Sequence, residues 1–250
     1  MKIRKLKLFT HKLELEKTFY AQTLGFEIIK SNSNYFTLKV GWTELTFEKA
    51  EIEYKYHYCF LIPSNKLEQA MEWMEKRVPI IVIENGRKTQ RFENWNADSF
   101  YFYDASGNIA EFIVRQELDN GIDSNFNISN VLCVNEIGMP TNDVEKTNNE
   151  LYENFGTEFW KGDIKRFGTN GSQEGLFLLP NYEIKEQYAF NVVATDGTFV
   201  SQVSVVVTIT NQFEKLTSFG YIDKPITTNA DGTFILGEDL SSGRPVYFTQ

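Results

Sequence analysis

Few side chains in this sequence can bind a transition metal or act as a nucleophile. The chain has two histidines, His11 and His57, and two cysteines, Cys59 and Cys133, among its 250 residues. Two distant cysteines exclude a disulfide framework and a cysteine-based zinc cluster. We therefore predict buried free thiols, which suit the reducing environment of the cytoplasm. His57 lies in the aromatic run 56–60, where it can be a hydrogen-bonded core histidine, a metal ligand or an acid–base group.

The most specific acidic pattern in the chain is Asp104-x-x-Gly107-Asn108-x-x-Glu111. An aspartate side chain bonds to its own backbone, and Gly-Asn tolerates positive φ, so residues 104–108 predict a tight turn between two strands. Glu111 then falls within the strand that follows the turn. By contrast, the acidic run 48–53 predicts no more than a solvated edge.

Composition and charge limit the classes of function. The chain carries 25 basic and 34 acidic residues, a net charge of −9, and it is 42% hydrophobic and 15% aromatic. An acidic chain is a poor candidate for sequence-independent nucleic-acid binding, which requires a basic surface. No apolar run approaches the ~18–20 residues of a membrane span, and residues 1–14 predict a first strand rather than a signal peptide. We expect a packed protein whose partner is a small molecule, and neither nucleic acid nor a membrane.

The elements that must position these residues follow a repeated order. Alternating strands, apolar stripes at helical spacing and a helix end at Gly25 predict β-α-β-β-β within residues 1–50. The order recurs from residue 57 and from residue 131, a spacing of about 50–75 residues. In the second copy we predict a strand at 57–62, a helix at 67–74, and strands at 80–84, 99–104 and 109–115. Residues 187–250 carry no helical stripe and predict a β-rich tail.

Three segments of this repeated pattern resemble the vicinal oxygen chelate superfamily, which includes glyoxalase I, extradiol dioxygenases and bleomycin-resistance proteins. The segments are Phe19-Tyr20-x-x-x-Leu24-Gly25-Phe26, His57-Tyr58-Cys59-Phe60, and the run 95–102 that leads into the Asp104–Glu111 pattern. The resemblance covers residues 1–116 and extends weakly to about 180, through Asn135-Glu136-Ile137-Gly138-Met139-Pro140. The tail weakly resembles the closing hairpin of a cadherin-like repeat.

The resemblance implies an α+β fold. Residues 1–116 are expected to form a glyoxalase-like domain of two βαβββ modules that share a cupped mixed sheet. Residues 125–185 are expected to form a third βαβββ module, and residues 187–250 a β-rich tail of uncertain type. Asp196, in that tail, is a single acidic residue and therefore a weak candidate for calcium binding.

The resemblance also implies a site in the cup, where four positions of the family bind a divalent metal. By motif these positions are Lys5, Glu44, His57 and Glu111. One imidazole and two carboxylates suit Zn, Ni, Mn or Fe, but the ammonium of Lys5 has no lone pair to offer. Glu111 and His57 are the predicted catalytic pair, in which a carboxylate moves protons as general base. The predicted pocket also contains Lys5, Lys7, Glu44, Trp95 and Tyr101.

A metal-free cup is the alternative, because an ion pair between Glu111 and Lys5 would occupy the place of the metal. The first hypothesis is thus a glyoxalase-like lyase or isomerase. The second is a binding protein that sequesters its ligand, as bleomycin-resistance proteins do, and the acidic charge and aromatic content suit a cationic aromatic ligand. A third places an interaction surface on the tail. A dioxygenase is less favoured because its metal triad needs a second histidine. Such cups form within one chain or across a homodimer.

Overall fold

The computed structural model describes residues 1–83 and 86–182 in full. Beyond them it describes the backbone of the paired strands Gln187–Thr195 and Val200–Thr208, and of the short paired strands Thr227–Thr228 and Phe234–Ile235. The predicted β-rich tail, its cadherin-like resemblance and Asp196 otherwise lie outside the described residues.

The first βαβββ module forms a sheet of its own. Its elements are β1 (Lys5–Thr10), α1 (Leu13–Lys17), β2 (Glu27–Ser31), β3 (Tyr35–Val40) and β4 (Thr43–Lys49). The four strands lie in the order β1-β4-β3-β2, with β1 and β4 parallel. A π-helical turn, Thr18–Thr23, follows α1, and Gly25 after it has a φ of 82°. Glycine adopts this conformation at low cost, so the helix ends where the sequence predicts.

The second module repeats the same order. Its elements are β5 (His57–Leu61), α2 (Leu67–Glu75), β6 (Gln90–Phe92), β7 (Ala97–Tyr103) and β8 (Ile109–Arg115). Asp104 Oδ1 accepts hydrogen bonds from the backbone N–H groups of Ser106 at 3.0 Å and Asn108 at 2.8 Å. These bonds close a tight turn between β7 and β8, which confirms the predicted turn at 104–108.

The predicted strand at 80–84 differs from the structure. In the described part of this segment, Ile80 makes a single bridge with Phe102, and the next full strand of the module begins at Gln90. Pro79 precedes the bridge and has no N–H to donate to a neighbouring strand, so regular pairing does not begin there.

The third module has two well-defined helix ends. Its elements are β9 (Cys133–Gly138), α3 (Val144–Phe155), β10 (Phe159–Gly162), β11 (Phe167–Ser172) and β12 (Gly175–Pro180). Asp143 caps α3 by accepting from the Lys146 N–H at 2.9 Å, and Gly156 ends the helix with a φ of 64°. Throughout the described part of the chain, no helix is both long and apolar enough to cross a membrane.

The second and third modules share one eight-stranded sheet, in the order β10-β11-β12-β9-β5-β8-β7-β6. The antiparallel pair β5–β9 joins the modules, and each of these strands pairs in parallel with the last strand of its own module, β8 or β12. We had expected the first and second modules to share a sheet. The α+β class and the βαβββ order are confirmed, but the sheet partner of the second module is the third.

The two faces of the eight-stranded sheet have different environments. On β8, Ala110, Phe112 and Val114 belong to the main hydrophobic core, which also contains side chains of the first module. Ile113 faces the other way and packs with Cys59 in a second cluster. We call this second face, which carries the odd-numbered residues of β5 and β8, the inner face, because successive strand residues alternate between faces.

Candidate functional site

Three side chains that can ligate a metal meet on the inner face. His57 comes from β5, Glu111 from β8 and Glu136 from β9, and one ligand atom of each lies within 4.8 Å of the other two. Strand register explains their meeting, because Cys59 of β5 pairs with Glu111 on one side and with Glu136 on the other. The three side chains therefore meet because β5 lies between β9 and β8 in the sheet.

A β-bulge in β9 directs two successive side chains to this place. The register between β5 and β9 shifts between Cys59 and Phe60, which makes Asn135 an extra residue in β9. Asn135 and Glu136 are both buried, and both accept hydrogen bonds from Arg115 at the end of β8. In a regular strand their side chains would point to opposite faces, whereas a bulge re-aims one of them.

His57 has a hydrogen-bond acceptor at each ring nitrogen. Nδ1 lies 3.1 Å from the carbonyl oxygen of Ile109, and Nε2 lies 3.3 Å from Glu111 Oε2. Burial opposes a charge on the imidazole, but the hydrogen bond to Glu111 and the negative charges of Glu111 and Glu136 raise the pKa of His57 above its ordinary value. His57 and Glu111 therefore form a hydrogen-bonded acid–base pair.

Arg115 is the permanent positive charge of the cluster. Its side chain is fully buried, and it donates from Nη2 to Glu136 Oε1 and from Nε to Asn135 Oδ1, the latter over 3.0 Å. The Cζ atom lies 5.3 Å from the ring centroid of Trp160 and 5.7 Å from that of Trp95. The carboxylate and the two aromatic faces offset the cost of burying the guanidinium.

The remaining electrostatics of the cluster concern Glu136. Burial, and after it the negative charge of Glu111, raises the pKa of the Glu136 carboxyl group. The positive charge of Arg115 and the imidazole of His57 lower this pKa, but the net result is a raised value. Among the described residues, two buried atoms of this cluster lack a hydrogen-bond partner, Glu111 Oε1 and Arg115 Nη1. One is a free acceptor and the other a free donor, so the cluster is not self-sufficient.

The donor set fits a divalent transition metal. One imidazole and two carboxylates suit Zn, Ni, Mn or Fe, and the buried, unpartnered Glu111 Oε1 is an acceptor that a cation would satisfy. The bond from Arg115 to Glu136 matches the outer hydrogen bonds that orient ligating carboxylates. On the neighbouring strand β12, Leu176 is the register partner of Glu136 and offers no ligand atom. Three protein ligands leave coordination positions for water or substrate.

The structure places two of the four predicted metal positions in the other sheet. Lys5 and Glu44 are register partners on β1 and β4, and Glu44 Oε2 lies 3.8 Å from Lys30 Nζ. Glu111 contacts His57 rather than Lys5, so the expected ion pair across the cup is not the one observed. The reason is that β5 has β8 and β9 as its neighbours, whereas β1 and β4 belong to the four-stranded sheet.

The other predicted pocket residues divide in the same way. The Tyr101 ring centroid lies 6.3 Å from that of His57, and Trp95 lies beside the cluster through its contact with the guanidinium. Lys7 lies on β1, where its Nζ is 2.7 Å from Glu48 Oε2. The structure thus brings Tyr101 to His57 and Trp95 to Arg115, and it leaves Lys7 in the four-stranded sheet.

Glu136, Asn135 and Arg115 are cluster residues that the sequence analysis did not select. A signal for them exists, because each is a polar residue within, or at the end of, an otherwise apolar predicted strand. Asn135 and Glu136 also lie in the first strand of the third copy of the repeat, as His57 lies in the first strand of the second copy. Buried polar residues in such strands need partners, and these three supply partners to each other.

The comparisons with known proteins agree with this architecture. No protein-family model matches the sequence. No curated protein matches it. A solved structure of a putative dioxygenase from Bacillus subtilis superposes with a TM-score of 0.53 at 20% identity, over 72% of this chain and 64% of that one. The chain thus spans less than two thirds of the length of that protein.

A glyoxalase I variant from Zea mays superposes with a TM-score of 0.50 at 12% identity, over 73% of this chain and 68% of that one. Identities this low establish the architecture and leave the activity open. Taken with the three βαβββ modules, these two structures show that the chain has the vicinal oxygen chelate fold.

Proposed function

We propose that the protein is a glyoxalase-like lyase or isomerase that binds a small organic molecule on the inner face. The observation that carries this proposal is the 3.3 Å contact between His57 Nε2 and Glu111 Oε2, beside the unpartnered Glu111 Oε1. An acid–base pair with one free carboxylate oxygen can take a proton from a carbon atom and return it to a neighbouring atom.

The two residues take separate roles in this proposal. Glu111 accepts the proton from the substrate on one carboxylate oxygen, while its other oxygen is held in place by His57 in the metal-free cluster, or would be held by a metal bound there. The contact of His57 Nδ1 with the Ile109 carbonyl fixes the imidazole ring in turn. Because β5 and β9 pair within one chain, the cluster is complete without a second copy, although homodimers remain compatible with it.

His57, Glu111 and Glu136 are the residues that we propose to hold a divalent metal. When bound there, Zn, Ni, Mn or Fe would polarise a substrate oxygen and stabilise negative charge on it. His57 must lose its Nε2 proton to act as a ligand, so binding weakens as the pH falls through the raised pKa of this imidazole. Arg115 then keeps Glu136 oriented through its hydrogen bond.

A binding protein that sequesters its ligand without a metal is the second candidate, and the aromatic residues near Arg115 favour it. Trp95 stacks on Phe92 at 5.3 Å and on Phe167 at 6.4 Å, and its ring lies 5.7 Å from that of Trp160. All four rings are partly exposed, and such a surface binds flat apolar molecules without an acid or base. The guanidinium beside two of them argues against a cationic ligand.

The test begins with the metal content of protein purified without chelators and then reconstituted with Mn, Fe, Ni and Zn. We expect near-stoichiometric metal in the wild-type chain and none in His57→Ala. His11→Ala is the matched control, because His11 is exposed and lies outside the cluster, and it should retain the metal. No metal in the wild-type chain after reconstitution would contradict the metal proposal.

Activity separates the two candidate functions. Lactoylglutathione lyase and isomerase assays on the reconstituted protein should show turnover in the wild-type chain and in His11→Ala, and none in His57→Ala. Ligand binding without turnover in the wild-type chain would instead support the sequestering function.

We propose a cytoplasmic location from the two cysteines. Cys59 and Cys133 are free and buried, as the sequence predicts. Burial raises the pKa of both thiols, so both stay protonated and unreactive. Free thiols of this kind persist in a reducing compartment.

A further inference from the structure

Arg115 has one edge of its guanidinium bound and another edge free. Nε and Nη2 donate to Asn135 and Glu136 on β9, while Nη1 has no hydrogen-bond partner among the described residues. The guanidinium is planar and its N–H groups have fixed directions, so bonding of Nε and Nη2 to β9 turns Nη1 away from that strand. The side chain is wholly buried, where an unpartnered charged N–H is expensive.

Nη1 remains unsatisfied beside the groups that bond to the guanidinium or pack on it, and Glu111 Oε1, also in this cluster, makes no hydrogen bond to it. Asn135 and Glu136 already accept from Arg115. Trp95 and Trp160, whose ring centroids lie 5.7 and 5.3 Å from Cζ, present aromatic faces and no oxygen. An indole has a donor and no acceptor, so neither ring can satisfy Nη1. Both tryptophans are partly exposed, which gives a ligand an approach from their side of the cluster.

We propose that Arg115 binds the carboxylate of a small organic acid through Nη1, with the apolar part of the ligand against Trp95 and Trp160. A hydrogen bond from a guanidinium N–H to a carboxylate oxygen is charge-assisted, and such bonds are among the strongest in proteins. The ligand meets the edge that points away from Glu136, so its charge does not compete for the same N–H groups. This inference rests on the proposed function and names the class of molecule on which that function acts.

The test is a titration of the 250-residue chain with benzoate, in which binding is measured by calorimetry and by tryptophan fluorescence. Benzamide is the neutral isostere, and inorganic phosphate is the second anion. We expect benzoate to bind about tenfold or more tightly than either, and Arg115→Lys to lose about that factor, because an ammonium has no planar fork. Equal binding of benzoate and benzamide, or tighter binding of phosphate, would overturn the assignment.

Glu136→Gln separates the carboxylate site from the proposed metal site. Gln keeps an oxygen for Arg115 and removes a nearby negative charge that repels the carboxylate of the ligand, so benzoate affinity should rise several-fold while bound metal falls. A loss of benzoate affinity in this variant would count against the inference. If Arg115→Lys does not fold, Arg115→Met combined with Glu136→Gln removes both buried charges together. That double variant must lose the preference for benzoate over benzamide.

The outcomes also separate this inference from the proposed function. Metal binding and turnover without a preference for benzoate would overturn the inference and leave the proposed lyase or isomerase standing. A preference for benzoate without metal or turnover would support the inference and favour the sequestering function.

Discussion

In the first module Lys5 of β1 faces Glu44 of β4, and in the second module Cys59 of β5 faces Glu111 of β8. Both pairs join the first and last strands of a βαβββ module in parallel. The Glu44 side chain is 33% exposed, whereas that of Glu111 is 3% exposed and contacts His57. Equivalent strands of two similar modules thus hold a solvated carboxylate in one case and a buried, partnered one in the other.

The second neighbour of the first strand accounts for this difference. β5 pairs with β9 as well as with β8, and β9 contributes Asn135 and Glu136 to the cluster. Among the strands that the structure describes, β1 pairs with β4 alone. The second module therefore provides His57, Glu111 and Arg115 of the cluster, and the junction with the third module adds Asn135 and Glu136.

The largest expected effect follows from breaking the charge pair at this junction. Arg115→Met leaves Glu136 buried without its cation, and loss of one partner of a buried pair costs about 3–5 kcal/mol. Lys5→Met, in the first module, should change the free energy of unfolding by less than about 0.5 kcal/mol, because Lys5 is exposed. Urea unfolding of both variants measures the difference. If the free energy of unfolding falls by a similar small amount in both variants, the buried charge pair at the junction stabilises the fold no more than the exposed Lys5 does.

The two modules should also differ in their effect on metal binding. Glu111→Gln removes a proposed ligand and should weaken metal affinity by at least about 100-fold, since even outer-shell changes cost 10–100-fold. Glu44→Gln makes the same chemical change on β4 and should leave the affinity unaltered. Competitive titration with a chelating dye measures both constants. An equal loss in the two variants would place Glu44 back among the metal ligands.

The junction of the first and second modules also buries two carboxyl groups, and one of them, Glu16, stays protonated at neutral pH. Glu16 on α1 accepts from the Ser106 N–H at 2.8 Å, and Asp104 accepts from the Tyr58 hydroxyl at 2.6 Å. Burial, followed by the charge of Asp104, raises the pKa of Glu16 from 4.5 to about 9. At neutral pH Glu16 therefore keeps its proton, and the Asp104 carboxyl is engaged by Tyr58, Ser106 and Asn108.

We expect Glu16→Gln to flatten the pH dependence of stability. The folded chain keeps the Glu16 proton up to about pH 9, whereas the unfolded chain releases it near pH 4.5. Stability from this group is therefore complete below pH 4.5 and is lost as the pH rises through 9, with a limiting slope of about 1.4 kcal/mol per pH unit. Gln has no carboxyl proton to release, so the variant lacks this titration. Urea unfolding across this range should show a shallower decline in the variant, and identical slopes would refute the assignment of the proton to Glu16.

The features that could be predicted from the sequence are those coded locally. The helix end at Gly25, the turn at 104–108 and the βαβββ order each depend on a few neighbouring residues. Glu136 could be identified as a cluster residue only with the knowledge that β9, and not β1, is the neighbour of β5. The alternation of apolar residues predicts strands, but it does not predict which distant strands pair. The bulge at Asn135 adds a second obstacle, because it changes which residues of β9 face the cluster.

The smallest expected effect comes from Lys7, which the sequence placed in the pocket and the structure places on β1. Its Nζ lies 2.7 Å from Glu48 Oε2, and the two side chains are 55% and 35% exposed. An ion pair this exposed contributes less than about 1 kcal/mol, so Lys7→Ala should leave unfolding, metal content and benzoate affinity almost unchanged. A clear drop in benzoate affinity in Lys7→Ala would show that β1 borders a ligand site of its own. The contrast between an open first module and a functional junction of the second and third would then fail, because each module would bind ligand on its own strands.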